Sequence, residues 1–520
     1  MKIIINVLAI VIWLGVWGCS TSASESTKTN QAVEENTNYE ANWESLAKHE
    51  RVPEWFADSK FGIYFHWGVY SVPAFGSEWY PYRLYRTKEF PQYKKYHEEK
   101  YGPIDQFHYH DFIPMFTAEK YDAKDWADLF EISGAKFAGP VAQHHDGFAM
   151  WDSEINPWNA AKMGPKKDIT GELFAELKKR NIKTIATFHH ARLRQRHEGD
   201  SSKWNTYNSH YAYHPDYITS STDPEIAKLY GNMPQEEFDQ YWLAQINEVV
   251  DKYSPDILWY DTWLNFLPEK KIQEMAAYYF NHAKEENKDV LIAYKQIDMP
   301  KNIGLLDIEQ GGKKDLSEDP WMTDITISDK GSWCYTEGQV YKSSAMVLRN
   351  MIDVWSKYGI VLLNISPMAD GTINQEQRDV LTEIGSWMKT YGEAVYSTKP
   401  YYFYGFGSAK AADGNHGGQS AKVEYTANDV RFTMAKDESA IYTFVLGKPK
   451  AGKEIKLQKT GPVAYYPPKP VTKIINMANG QEVEWSYGDH GFVITAPADG
   501  MNELANVFKL VMDDKAVAKN

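Results

Sequence analysis

The sequence predicts an α/β protein: a (β/α)₈-like barrel over residues 46–395, followed by an antiparallel β-sandwich over residues 396–520. Two patterns carry this prediction. In the first region short, near-continuous apolar runs alternate with amphipathic helical stretches, as parallel strands buried on both faces require. After about residue 396 the runs shorten, often alternate in polarity and are separated by Gly, Pro, Asn and Asp, which marks antiparallel strands joined by turns.

In chain order, residues 1–19 read as a targeting segment rather than structure. Lys2 precedes an apolar stretch from Ile3 to Val16, and Trp17-Gly18-Cys19 follows. The pattern resembles a bacterial lipoprotein signal with Cys19 as the lipidated residue, and a plain secretory signal or a membrane anchor is the other reading. The first reading predicts an exported protein, periplasmic or at the cell surface, that meets the membrane only through its lipid. Residues 20–45 are mostly small and polar and read as a flexible linker. The other cysteine is Cys334, read as a packed thiol; with Cys19 lipidated, no internal disulfide can form.

Seven barrel strands are expected at Phe61–Phe65, Phe137–Ala142, Thr184–Phe188, Ile257–Tyr260, Val290–Tyr294, Leu305–Ile308 and Ile360–Ile365. Between them Val347, Met351, Val354, Trp355 and Tyr358 form one helical stripe, and Asp168 is placed to cap a helix beginning at Ile169. The sandwich strands are expected at Val423–Thr426, Val430–Met434, Ile441–Leu446, Glu482–Trp485 and Phe492–Ile494.

A formal charge of −14 repels a phosphate backbone, and no basic run offsets it, so nucleic acid is excluded as a partner. Aromatic residues make up 14% of the chain, which suits stacking on sugar rings as well as a large core. In a parallel barrel the functional groups follow the C-terminal ends of the strands. Here His66, the pairs His144/His145 and His189/His190, Asp261, Lys295 and Glu309 each follow an apolar run. Any one could be an ordinary buried polar residue. Six strand ends of this kind indicate an enzyme. Two carboxylates on different strands, Asp261 and Glu309, supply the pair that glycoside hydrolysis needs. A metal reading of His66, His144, His145 and Asp261 is disfavoured, because adjacent strand residues point to opposite faces and a metal pair normally spaces its histidines as His-x-His. No metal and no organic cofactor is expected, and no phosphate-binding or dinucleotide-binding glycine motif is present.

Several long segments resemble the α-L-fucosidases of glycoside hydrolase family 29. They are Lys60–Ala74 with Glu78-Trp79-Tyr80, Gln143–Trp151, Tyr253–Asp261, and Leu362–Ile373 after Tyr341–Ser344. The resemblance implies a retaining exo-glycosidase acting on fucosylated oligosaccharides or polysaccharides. Asp261 would be its nucleophile. His66, Glu78, Trp79, His144 and His145 would bind hydroxyls, and Trp259 and Trp333 would contact the apolar sugar face and its C6 methyl. The acid/base is expected at Glu309, because the position after Pro320-Trp321, glutamate in many relatives, is Met322; Asp307 and Glu318 are the alternatives. His189 and Lys295 stand near where some relatives have tyrosine and arginine. A related activity, on an L-galactoside or a sulfated fucan, and a non-catalytic glycan-binding lipoprotein are the competing readings.

Overall fold

Eight parallel strands close into a barrel: β1 (Phe61–Phe65), β2 (Phe137–Gln143), β3 (Lys183–Phe188), β4 (Ile257–Tyr260), β5 (Leu291–Lys295), β6 (Leu305–Asp307), β7 (Trp321–Thr326) and β8 (Gly359–Ile365). Closure comes from β1 against β8, in register from Phe61↔Val361 to Phe65↔Ile365. The computed structural model describes residues 38–513 apart from 198, 415–422, 458–466 and 490. The leader, Cys19 and most of the linker lie outside the described residues. Among those described, no helix is long and apolar enough to cross a membrane.

The strands are apolar on both faces because each face is buried differently. Val141, Ile257, Trp259, Leu291, Ala293, Met322, Ile360 and Leu362 point inward and fill the lumen as stacked layers. Their neighbours, among them Leu258, Ile292, Val361 and Leu363, pack outward against the helices. Gly62 is required by close packing, since a Cβ there would lie 2.2 Å from the ring of Phe137.

Helices follow most strands. Asp168 caps Ile169–Lys179 by accepting from the Gly171 amide, and Ser344–Ser356 carries the Val347/Met351/Val354/Trp355 stripe to the barrel. Two units depart from the pattern: among the described residues, no helix stands between β5 and β6 or between β6 and β7. The β6–β7 connection is instead tied to the C-terminal part of the chain, where Gly312 and Gly414 exchange backbone hydrogen bonds of 3.4 and 3.2 Å.

The eighth strand, β7, was not among the predicted runs. Its Thr323, Asp324 and Thr326 break the apolar signal, although Met322 and Asp324 alternate on the inner face as a strand should.

The C-terminal part forms two antiparallel sheets. One has six strands: β9 (Thr398–Phe406), β10 (Val430–Ala435), β11 (Ala440–Val445), β13 (Val471–Asn476), β14 (Gln481–Glu482) and β17 (Asn506–Met512). The other has β12 (Glu454–Leu457), β15 (Trp485–Gly488) and β16 (Gly491–Thr495). Phe432, Ile441, Leu457, Ile494 and Leu510 fill the core between them. Val423–Thr426 forms no strand, a correction to the sequence reading: Thr426 instead opens a turn, with its amide and hydroxyl both bound to Asp429. The expected strand Glu482–Trp485 is split between β14 and β15, which belong to different sheets.

Candidate active site

A cavity of about 430 Å³ sits where the barrel strands end, and it gathers His66, Glu78, Trp79, His144, His145, His189, Asp261, Lys295, Glu309 and Trp333. All but one of the residues given a first-choice catalytic or sugar-binding role from the sequence therefore line one space. Trp259 is the exception. It is fully buried on β4 beneath the cavity, and its indole N–H donates to Asp307. Its ring supports Lys295, 4.8 Å above, and His189, at 5.1 Å between centroids. The expected sugar contact becomes a floor.

Each side chain is aimed by a neighbour. The His66 amide and its Nδ1 both meet Asn364 Oδ1, at 3.0 and 2.8 Å; with Nδ1 donating, Nε2 is left as an acceptor. Asn364 in turn donates to the carbonyl of Trp333 at 2.7 Å, so β8 positions two walls at once. Glu78 accepts from the amides of Trp333 and Cys334, at 3.3 and 3.4 Å. His145 places Nδ1 on the carbonyl of His189 and Nε2 3.3 Å from Asp261 Oδ2. With a carbonyl at one nitrogen and a carboxylate at the other, both ring nitrogens face acceptors.

His144 and His145 are adjacent yet both reach the cavity. Both lie past the end of β2, so strand alternation does not separate them, which corrects the opposite-face expectation. His190 does differ from its neighbour: it is buried beside Phe188 and Trp242 and lies outside the lining.

Lys295 is the electrostatic centre. Its Nζ lies 3.2 Å from Asp261, 3.0 Å from Glu309 and 3.1 Å from Asp324. Burial alone would discharge it, but Asp324, Glu309, Asp261 and Asp307 together hold its pKa well above the ordinary lysine value. Burial likewise pushes Asp261 upward, and Lys295 with the imidazoles of His145 and His189 outweighs this, keeping the carboxylate ionised far below its usual range. Asp307 and Asp324 are pushed upward by burial; Asp324 adds to the rise of Asp307, and Glu309 to that of Asp324. Glu78, also buried, is raised to about 7 against the pull of its two amide donors.

The histidine side is neutral. Burial lowers His66 to about 3 despite its bond to Asn364, and burial plus mutual repulsion carries His144 and His189 well below the usual value. Among the described residues these three also form the one set able to hold a metal ion, their ligand nitrogens lying within 4.8 Å of one another.

Several lining residues were missed from sequence: Tyr64, Tyr207, Thr262, Trp263, Gln296 and Asp324. Thr262, Trp263 and Gln296 follow closely on recognised strand ends and could have been found by extending those runs by three residues. Tyr207 comes from a long connection with no such marker.

The sequence profile of the family described as Alpha-L-fucosidase matches residues 26–393. The chain is 28% identical to tissue alpha-L-fucosidase of Rattus norvegicus over 467 residues, covering 88% of each chain. It is also 28% identical to plasma alpha-L-fucosidase of Homo sapiens over 474 residues, covering 89% of each. A solved Thermotoga maritima alpha-fucosidase, in complex with fucose, superposes with a TM-score of 0.70 at 27% identity, covering 91% of this chain and all of that one. The same structural likeness holds for that protein in complex with a mechanism based inhibitor. With its closed barrel, its C-terminal antiparallel sheets and a family match over most of its length, the chain belongs to the alpha-L-fucosidase family and is a glycoside hydrolase.

Proposed function

We propose that the protein is a retaining, exo-acting α-L-fucosidase, with Asp261 as nucleophile and Glu309 as acid/base, that removes terminal fucosyl residues from glycans. One observation carries the assignment: a single ammonium, Lys295 Nζ, touches both carboxylates. With contacts of 3.2 and 3.0 Å to one atom, the two contacted oxygens lie no more than about 6 Å apart, short of the ~6.5–9.5 Å carboxyl separation of inverting enzymes.

The steps follow from the charges. Asp261, ionised by Lys295, attacks the anomeric carbon while Glu309 delivers a proton to the departing glycosidic oxygen. An ester between Asp261 and the sugar results, and the aglycone leaves as an alcohol. Glu309, now a carboxylate, takes a proton from water as that water attacks the same carbon, which frees the sugar and restores both groups. Lys295 stays charged throughout and steadies whichever carboxylate is ionised.

The neutral imidazoles suit hydroxyls: His66, its donor committed to Asn364, presents Nε2 as an acceptor, and His144 and His189 each carry one donor and one acceptor. Glu78, with a pKa near 7, can donate to a hydroxyl while protonated. Trp333 lines the cavity and offers an apolar surface for the C6 methyl. The leader reading extends the proposal: a lipid on Cys19 would hold the enzyme outside the cytoplasm, and mass spectrometry of the mature N-terminus tests it.

The deciding experiment is hydrolysis of an aryl α-L-fucoside followed by NMR of the first-formed sugar. Wild type should release the α anomer, and Asp261→Ala should lose about 10⁴-fold in kcat/KM. Release of the β anomer, or unimpaired turnover by the variant, sinks the assignment.

A further inference from the structure

The catalytic cavity opens past three aromatic rings that the mechanism above leaves unused. Exposure rises outward, from 13% for the Asp261 side chain and 29% for that of Glu309 to 53% for Tyr207. Tyr207 lies parallel to Trp79, at 6.1 Å between centroids and 4° between planes, and Trp263 meets it edge-on at 5.3 Å and 63°. An exposed ring on a loop would ordinarily be free to move. This one is fixed from behind.

The fixing group is Arg192, fully buried. Its guanidinium carbon stands 3.9 Å from the centroid of Tyr207, 4.6 Å from Trp79 and 4.7 Å from Trp263. Its Nη2 donates to the Tyr207 carbonyl, which pins the backbone beneath the ring. Trp263 is held just as firmly. Its φ of 98° is a conformation that a non-glycine residue keeps only when its surroundings impose it. Here Asp298 imposes it, accepting from the amides of Trp263 and Leu264 at 2.7 and 3.1 Å. The strain is local, two residues past the nucleophile, and its result is a ring on the cavity wall.

We propose that Tyr207 and Trp263 form a stacking platform for the sugar ring to which the fucosyl group is attached, with Arg192 as its positioning residue. This rests on the fucosidase reading of the cavity. The floor is closed by Trp259 and the lumen, so a bound fucosyl group must leave its glycosidic bond on the open side, where these rings stand. A pyranose presents a continuous C–H face to such rings, and stacking there needs neither charge nor metal. The chemical class of the aglycone is therefore a hexose or N-acetylhexosamine rather than a peptide or lipid.

Two substrates test this on the full chain: α-L-fucosyl fluoride, whose leaving group cannot stack, and a fucosyl-N-acetylhexosamine disaccharide. Tyr207→Ala retains the backbone carbonyl that Arg192 holds, so the loop keeps its anchor. It should lower kcat/KM on the disaccharide by about 10-fold and change the fluoride by less than about twofold, Tyr207→Phe should restore the disaccharide rate, and Trp263→Ala should act as Tyr207→Ala does. Equal losses on both substrates, or no loss on the disaccharide, overturn the platform while leaving the catalytic assignment intact. A wild type inert towards both substrates overturns the fucosidase reading, and the platform with it.

Discussion

Two buried charge clusters in this molecule are built from similar parts and do opposite work. At the junction between barrel and C-terminal sheets, Asp353 accepts from Lys357 at 2.7 Å and from Arg431 at 2.6 Å, and all three are buried. Arg431 also donates to the carbonyls of Val430, Phe406 and Ala409. In the cavity, Lys295 faces Asp261, Glu309 and Asp324, with Asp307 behind. Each lysine even lies over an aromatic ring, Lys357 over Tyr404 and Lys295 over Trp259. The ratio of charges differs. One carboxylate shared by two cations is pulled low and stays ionised. Several carboxylates around one cation cannot all be satisfied, so one is driven down and others up. An excess of cations makes a fastener, and an excess of carboxylates makes a group of acids poised to exchange protons.

The comparison breaks most readily at its two lysines. Lys295→Met should lower kcat/KM by about 10³-fold, because Asp261 loses the charge that keeps it ionised and Glu309 loses its partner. Thermal unfolding should change far less, since the excess carboxylates can take up protons. Steady-state kinetics beside calorimetry checks both halves; a variant that unfolds early yet retains its rate when folded would put Lys295 in the fastener class. At the junction the reverse is expected. Asp353→Ala strands two cations in a dry site and should cost about 3 kcal/mol of stability, with kcat/KM at 25 °C unchanged. Replacing Asp353, Lys357 and Arg431 together with apolar residues should cost less than the single change, because no charge is then left unpaired. Denaturant unfolding of the two variants orders them.

What the sequence disclosed follows the same division. Barrel strands were legible wherever both faces are apolar, and the strand ends then pointed to Asp261, Glu309, Lys295 and the histidines. β7 escaped because Asp324 serves the cavity rather than the core, so function erased the very pattern that betrays a buried strand. Asp353 and Arg431 escaped because 78 residues separate them, and nothing local marks a charge that will be buried. Glu78 and Trp79 were found through resemblance alone. Tyr207 and Arg192 meet in a connection whose path is set by tertiary contacts, which no periodicity reports.

The smallest effect concerns buried histidines away from the cavity, where neutrality rather than charge is the stable state. His49 stacks on Phe280 at 3.7 Å, and burial lowers its pKa to about 4 against the usual 6.5, an Asp289 carboxylate pulling weakly the other way. Between those two values the unfolded chain binds a proton that the folded chain refuses. Stability contributed by the neutral ring is thus fully present above pH 6.5 and is lost as pH falls towards 4. His190, also outside the cavity lining, is lowered to about 3, and so is His66 in the cavity wall; both extend the loss further into acid. Glu78 acts with the opposite sign, because its folded form keeps a proton up to about pH 7 that the unfolded form gives up near 4.5, so its share weakens as pH rises through that window. His49→Phe keeps the stack and removes the titration. It should lessen the stability lost between pH 6.5 and 4 by about 2 kcal/mol and leave turnover at neutral pH untouched, because His49 stands outside the cavity. Urea midpoints across that range provide the measurement, and parallel slopes for variant and wild type would show that the ring at position 49 titrates alike in both states.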